Sequence, residues 1–367
     1  MTSTPDSQRL LTLDAMRGLA ALIVVVFHAN TFVDVVPNAY LAVDFFFLLS
    51  GVVIGRAYEP RLREGLPVLE FMKERVIRVY PLFILGLALG FGDALYQFII
   101  QSEARPSVKF LTIGTFFNAL LLPSPVSSHS TFPFNIPAWS LSLELLANFL
   151  FAAFIVKLPS RSLAWLLAVL GGCTVWLGLQ PAELNVGDAW QHLLPGIVRT
   201  MFSFSAGILM SRHLRRGPAS PSATSLLPAV ALCGVLVAAP PSLGGIYDFI
   251  LVGIAFPAIV WMGARANPPR ALQGVAHLLG DTSYAIYAIH YPLIFMVAAL
   301  ATRLDVPVDV WLTAFVIAIV GVCHVAVKAY DTPVRRWMRR RWLTQRPSAS
   351  PAGEVGDNMK ASALPTR

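Results

Sequence analysis

The chain has 367 residues, of which 56% are hydrophobic and 13% charged, and its mean hydropathy is +0.65. Soluble domains carry roughly 25% charged residues, so this composition excludes a soluble globule and an intrinsically disordered chain. The net charge of +8 would point to nucleic acid on a soluble domain; on an apolar chain it reads as topology, and no nucleic-acid partner is expected.

Apolar runs of 15–20 residues recur along the whole sequence. An outer-membrane barrel would alternate apolar and polar residues instead. The expected fold class is therefore all-α, a polytopic transmembrane helical bundle. Hydropathy places ten spans near 17–34, 41–57, 80–100, 138–157, 162–179, 196–212, 225–239, 248–264, 278–300 and 310–330. Met1 to Arg17 is short and polar, and no clear small-residue cleavage site follows the first apolar run. The first helix is thus expected to be retained rather than cleaved as a signal. Residues 108–122 are too short to span comfortably and read as a re-entrant or interfacial helix.

With the N-terminus placed in the cytoplasm, only four of the 28 basic residues fall outside: Arg105, Lys109, Arg199 and Arg303. The positive-inside bias then puts both termini in the cytoplasm, as expected for a protein of the inner, cytoplasmic membrane. Residues 1–16 form the N-terminal segment, 17–335 the membrane domain and 336–367 a basic tail that turns Pro/Ser/Ala-rich from 346. The stretch Arg335 to Trp342 suits anionic lipid headgroups. Cys173, Cys233 and Cys323 each stand alone in an apolar run, which argues against disulfides and against a metal site.

Ionisable groups inside spans are costly and mark candidate sites. Arg17 and His28 are eleven residues apart, three helical turns, so they share a face about 16 Å apart in rise. His28 is either a general base or a structural histidine bonded to a neighbouring helix. Asp44 opens the second span and reads as a carboxylate that orients His28 or as a helix cap. Ser50 and Gly51 follow it and suit close helix packing. Glu144, in Trp139-Ser140-Leu141-Ser142-Leu143-Glu144, is expected at the depth of His28. Its bland alternative is a carboxylate paired for packing. Arg75 and Arg78 lie in the basic inner stretch Arg56 to Arg78 and point the same way on a helix. They form a phosphate fork or simply obey the positive-inside rule. Tyr284, Tyr287 and Tyr291 form a stripe with His290 beside it, either a polar path or sugar site or plain helix packing. His324 and Asp248 are lone polar residues in later spans, and His129 of the outer loop is assigned nothing.

Taken together, the segments Leu13 to Ala21 leading to His28, Asp44 to Gly51, Arg75-Val76-Ile77-Arg78, Trp139 to Glu144, and Ser283-Tyr284 to His290-Tyr291-Pro292 resemble the acyltransferase-3 family of integral membrane acyltransferases. They occur in family order across about residues 9–335. The resemblance implies a ten-helix core and transfer of an acyl group, usually acetyl, from acyl-CoA to a hydroxyl of a surface polysaccharide, lipopolysaccharide or glycolipid. It makes His28 the catalytic histidine, Arg17 its companion, Arg75 and Arg78 the donor-linked pair, and Glu144 the acid of the tryptophan motif. Asp44 is kept as a catalytic candidate, and Trp139, Tyr284, Tyr287 and His290 as substrate-binding candidates. Acetyl-CoA is the expected donor with no metal, and membrane lipids, the glycan or glycolipid acceptor and polysaccharide biosynthesis or export proteins are the expected partners. The chain resembles members that lack a fused esterase-like domain. The rival reading is a transporter or exporter of a glycan or small metabolite.

Overall fold

The structure is a computed structural model. It describes residues 10–343 apart from 30, 31, 33–35, 37, 104, 179–183, 215–220, 222 and 239–244. The Pro/Ser/Ala-rich tail and most of the N-terminal segment lie outside the described residues.

Every extended element among the described residues is helical. In chain order they are α1 Leu11–His28, α2 Ala42–Arg63, α3 Val68–Ile99, α4 Thr115–Ala119, α5 Ala138–Ala153, α6 Ser160–Gly178, α7 Leu193–His213, α8 Leu227–Val237, α9 Gly245–Ile250, α10 Phe256–Gly263, α11 Gln273–Arg303, α12 Val308–Ala326 and α13 Thr332–Trp342. Nine described helices are long and apolar enough to cross a membrane, and Phe110–Ala119 and Thr224–Val237 are shorter apolar helices. The tenth span expected at 225–239 falls on Thr224–Val237, which is shorter than a typical crossing. The segment Phe110–Ala119, two stacked helical pieces, is about 15 Å long, in keeping with a helix that does not cross.

Several boundaries differ from the hydropathy reading, two of them at charged helix starts. α1 begins at Leu11 rather than near 17. α3 begins at Val68, so Arg75 and Arg78 sit on a helix and only residues 64–67 join it to α2. Hydropathy treats charge as a reason to leave a helix, but here the charges are paired along it. Arg61 and Tyr58 donate to Glu74, and Lys73 donates to Glu70.

Two parallel helix pairs organise the bundle. α1 lies against α11, and the spot where a side chain on Gly18 would project is filled by Leu279, 2.5 Å from that point. α2 lies against α7, where a Cβ on Gly51 would fall 2.2 Å from the Phe204 carbonyl oxygen. Without a hydrophobic drive between helices in lipid, such close backbone approach supplies the packing.

Polar clamps hold the second pair at both ends. Arg199 of α7 donates to both oxygens of Asp44 on α2 through Nε, and its Nη2 lies 2.6 Å from Oδ2. Ser203 adds a bond to Asp44 at 3.2 Å. At the far end Arg212 reaches Glu59 at 2.9 Å. Asp44 is fully buried and Arg199 is 2% exposed. Arg199 also donates to the carbonyls of Leu184, Val186 and Tyr40, which ties down the loop before α7.

Removing one partner of a buried pair leaves an uncompensated charge in the bundle. Arg199→Met is expected to destabilise the protein by about 3–5 kcal/mol. The double variant Asp44→Leu with Arg199→Met should recover a large part of that loss. Thermal unfolding of the purified protein in detergent measures both.

Candidate functional site

Five helices, α1, α2, α3, α5 and α11, enclose a cleft of about 180 Å³. Arg17, Arg75, Arg78, Ser50 and Glu144 supply its polar wall, and Phe46, Tyr284 and Tyr287 much of the rest. Each group is held from a different direction. Arg17 pairs with Asp14 one turn earlier at 2.8 Å and donates to Ser283 Oγ and the Gly280 carbonyl. Arg75 donates to Glu144 at 3.1 Å, and Ser50 donates to the same oxygen at 2.7 Å. Arg78 lies over the Tyr284 ring at 5.5 Å. The Tyr284 hydroxyl donates to the Val79 carbonyl, so that ring is fixed beneath the guanidinium. The Nε of Arg75 is buried without a hydrogen-bond partner. Three guanidiniums against one carboxylate leave the cleft cationic, with planar donors suited to phosphate.

At one end of the cleft Tyr287 shares a 2.6 Å hydrogen bond with Ser140. One turn further along α11, His290 lies with its ring 6.0 Å from that of Tyr287. His290 Nδ1 is 2.9 Å from the Ile286 carbonyl oxygen. Its Nε2 is 3.1 Å from Nδ1 of His28, and that same Nδ1 is 2.9 Å from the Val24 carbonyl oxygen. Carbonyls only accept, so both Nδ1 atoms carry the proton. His290 then accepts from His28 through Nε2. In the neutral imidazole this leaves Nε2 of His28 as the basic nitrogen.

Sequence spacing predicts Asp44 and Glu144 converging near His28; the structure gives each a different partner. Asp44 neither caps α2 nor meets His28, because Arg199 and Ser203 hold it. Glu144 meets Arg75 and Ser50 in the cleft. The group that orients His28 is His290. Trp139 does not itself line the cleft; its ring meets the lining residue Phe47 edge-to-face at 6.5 Å and packs on Gly187. Gly187 has a positive φ of 127°, and a Cβ there would fall 2.3 Å from the Trp139 ring.

Two residues with a decisive place carry no motif. Arg199 had a readable sign, a lone arginine within an apolar run. Asn135 had none. Pro292 inside α11 removes the N–H that would bond the Ala288 carbonyl, and Asn135 donates to that carbonyl at 2.8 Å. Among the described residues no cluster of His, Cys, Asp or Glu is arranged to hold a metal.

The fold and the cleft thus define a multi-pass membrane protein with an arginine-lined cleft beside a histidine pair. Residues 10–328 match the family described as an acyltransferase domain, acyltransferase-3. The chain belongs to that family. It is 34% identical over 180 residues to protein 2 in the picA locus of Rhizobium radiobacter, covering 46% of this chain and 94% of that one. It is 24% identical to the exopolysaccharide production protein ExoZ of Rhizobium meliloti, covering 82% and 91%. It is 21% identical to the peptidoglycan O-acetyltransferase OatA of Listeria monocytogenes, covering 89% of this chain and 56% of that longer one. No solved structure matches the chain.

The Asn135 contact makes a paired expectation. Asn135→Ala leaves the Ala288 carbonyl unsatisfied and should cost about 1–3 kcal/mol of stability. Pro292→Ala supplies a new N–H to the same carbonyl, so Asn135→Ala with Pro292→Ala should melt higher than Asn135→Ala alone.

Proposed function

We propose that the protein is an inner-membrane O-acyltransferase. It moves an acyl group, acetyl in the simplest case, from cytoplasmic acyl-CoA to a hydroxyl of a surface polysaccharide or glycolipid. The observation that carries this reading is the placement of a three-arginine cleft one helical turn from an oriented histidine pair. The names of the exopolysaccharide and peptidoglycan relatives support a glycan acceptor. The distribution of basic residues supports an orientation with both termini inside and the arginine cleft toward the cytoplasm.

In this reading the donor phosphates lie on Arg17, Arg75 and Arg78, and Glu144 holds Arg75 in position. Arg17 and His28 are separated by about 16 Å of helical rise, a distance that an extended pantetheine arm bridges. The arm runs past Tyr287 and brings the thioester to the histidines. A glycan hydroxyl is a weak acid, so its attack needs a base. His28 Nε2 takes the hydroxyl proton as the oxygen adds to the thioester carbonyl carbon. The carbon–sulfur bond then breaks, coenzyme A leaves as the thiolate, and the proton on His28 passes to it or to solvent. His290 accepts the Nδ1 hydrogen bond throughout and fixes the ring. Asp44 has no chemical role here and serves the α2–α7 clamp.

His28→Ala should lower kcat about 10²- to 10⁴-fold while the protein still inserts and purifies. A fully active His28→Ala protein would remove the histidine from the reaction. Arg75→Ala with Arg78→Ala should raise the dissociation constant for coenzyme A at least about tenfold, read by calorimetry on purified protein. Unchanged affinity there would reduce the pair to a topological role. Incubation with labelled acetyl-CoA and glycan acceptors, with mass analysis of the product, tests the activity itself.

A further inference from the structure

A second cleft, of about 210 Å³, lies on the other side of the histidine pair. α3 contributes Asp93 and Gln97, the segment before α5 contributes Phe110 and Phe134, and α11 contributes Tyr291 and Phe295. None of these residues belongs to a motif of the family resemblance except Tyr291. Tyr291 joins the two regions, because its ring meets the His28 ring edge-to-face at 5.2 Å. We propose that this cleft is the acceptor subsite and that it takes an uncharged, hydroxyl-rich sugar unit of the glycan. The assignment rests on the acyltransferase reading given above.

Three features carry it. The first is hydrogen-bonding capacity. Gln97 donates to Asp93 Oδ2 at 2.7 Å, which fixes the carboxylate. Asp93 Oδ1 and Gln97 Oε1 remain as acceptors, and sugar hydroxyls are donors. The second is shape. Phe110 and Phe134 lie with ring centroids 5.1 Å apart, and Tyr291 and Phe295 at 5.0 Å. The rings of each pair are inclined to one another, at 63° and 58°, so individual ring faces offer apolar surfaces to the C–H faces of a pyranose, with few polar groups fixing its orientation.

The third is charge. Among the described residues the cleft lining holds one carboxylate and no basic residue, the reverse of the arginine cleft. A phosphate-bearing donor is therefore repelled from this side and a neutral acceptor is not. The wall is also preset. A Cβ on Gly90 would fall 1.8 Å from the Phe134 carbonyl oxygen, so only glycine lets that backbone rest on α3. The next residue, Asn135, is bonded to α11. Under the proposed orientation this cleft faces outward, toward the side where a surface glycan is met.

The test uses full-length protein in lipid nanodiscs with two probes, chitotetraose and cellotetraose. Saturation-transfer NMR should show binding of at least one sugar. Binding should be lost in Asp93→Ala with Gln97→Ala and in Ala94→Trp, which fills the cleft from α3. Retained coenzyme A binding shows that the variants are folded. In turnover with the sugar that binds, the double variant should raise the acceptor KM about tenfold or more with donor KM unchanged. Absence of binding by both sugars overturns the subsite, as does binding or an acceptor KM that ignores all these substitutions. Sugar binding that depends on Asp93 and Gln97 without any acyl transfer would leave the cleft standing and remove the proposed activity instead. Transfer with an acceptor KM indifferent to the variants would do the opposite.

Discussion

A buried ion pair sets the frame from which the site hangs. Arg199 and Asp44 lie inside the bundle, where a lone charge would be costly and a fully bonded pair is tolerable. Arg199 donates to Asp44 and also to carbonyls of the connection before α2 and the loop before α7. Tyr40 extends the network to Asp248, and Asp248 accepts from the Leu184 backbone N–H. Four separate stretches of chain are thereby fixed at one end of α2. Ser50 lies six residues further along that helix and meets Glu144. Glu144 in turn holds Arg75. The position of a proposed donor-binding group thus depends on a clamp that has no chemistry of its own.

The second consequence is a division of charge along the bundle. Guanidiniums gather in one cleft and a carboxylate stands in the other. The histidine pair lies between them, with Tyr287 on one side and Tyr291 on the other. A group-transfer protein that must take an anionic donor and a neutral acceptor gains specificity from such a split. In the proposed reading the guanidiniums favour the anionic donor in one cleft, and the carboxylate disfavours it in the other. The pair also settles tautomers without a carboxylate. Backbone carbonyls one turn back on α1 and α11 fix both Nδ1 protons, and His290 offers the lone pair that completes the His28 bond.

Much of this was legible in the sequence because it is local. The eleven-residue spacing of Arg17 and His28 places both on the α11 side of α1, where they meet Ser283 and His290. Those two partners are seven residues apart, two turns of one face. The apolar runs located the helices, and the scarcity of charge within them pointed to most of the cleft. What stayed hidden is long-range. Arg199 and Asp44 are 155 residues apart, and Asn135 and Ala288 are 153 apart. No spacing rule connects such pairs. Helix ends are hidden for a related reason: α3 carries Lys73, Glu74 and Arg75 into the bundle, and hydropathy cannot know that Glu70, Arg61 and Glu144 pair with them. Partner choice is long-range as well: Asp44 and Glu144 meet Arg199 and Arg75 rather than His28.

Pro292 shows how a local defect becomes a coupling device. A proline in a membrane helix frees a carbonyl that lipid cannot satisfy. On α11 that carbonyl belongs to Ala288, in the same turn as Tyr287, His290 and Tyr291. Its partner comes from Asn135, next to Phe134, which walls the second cleft. The segment that walls the second cleft is therefore bonded to the turn that orients the His28 ring. A regular helix would have used that carbonyl for its own hydrogen bond, and the outer segment would have kept the Tyr287 hydroxyl's bond to the Pro137 carbonyl as its polar tie to α11. The broken hydrogen bond is what lets the geometry of the histidine pair and the shape of the second cleft be set by one contact.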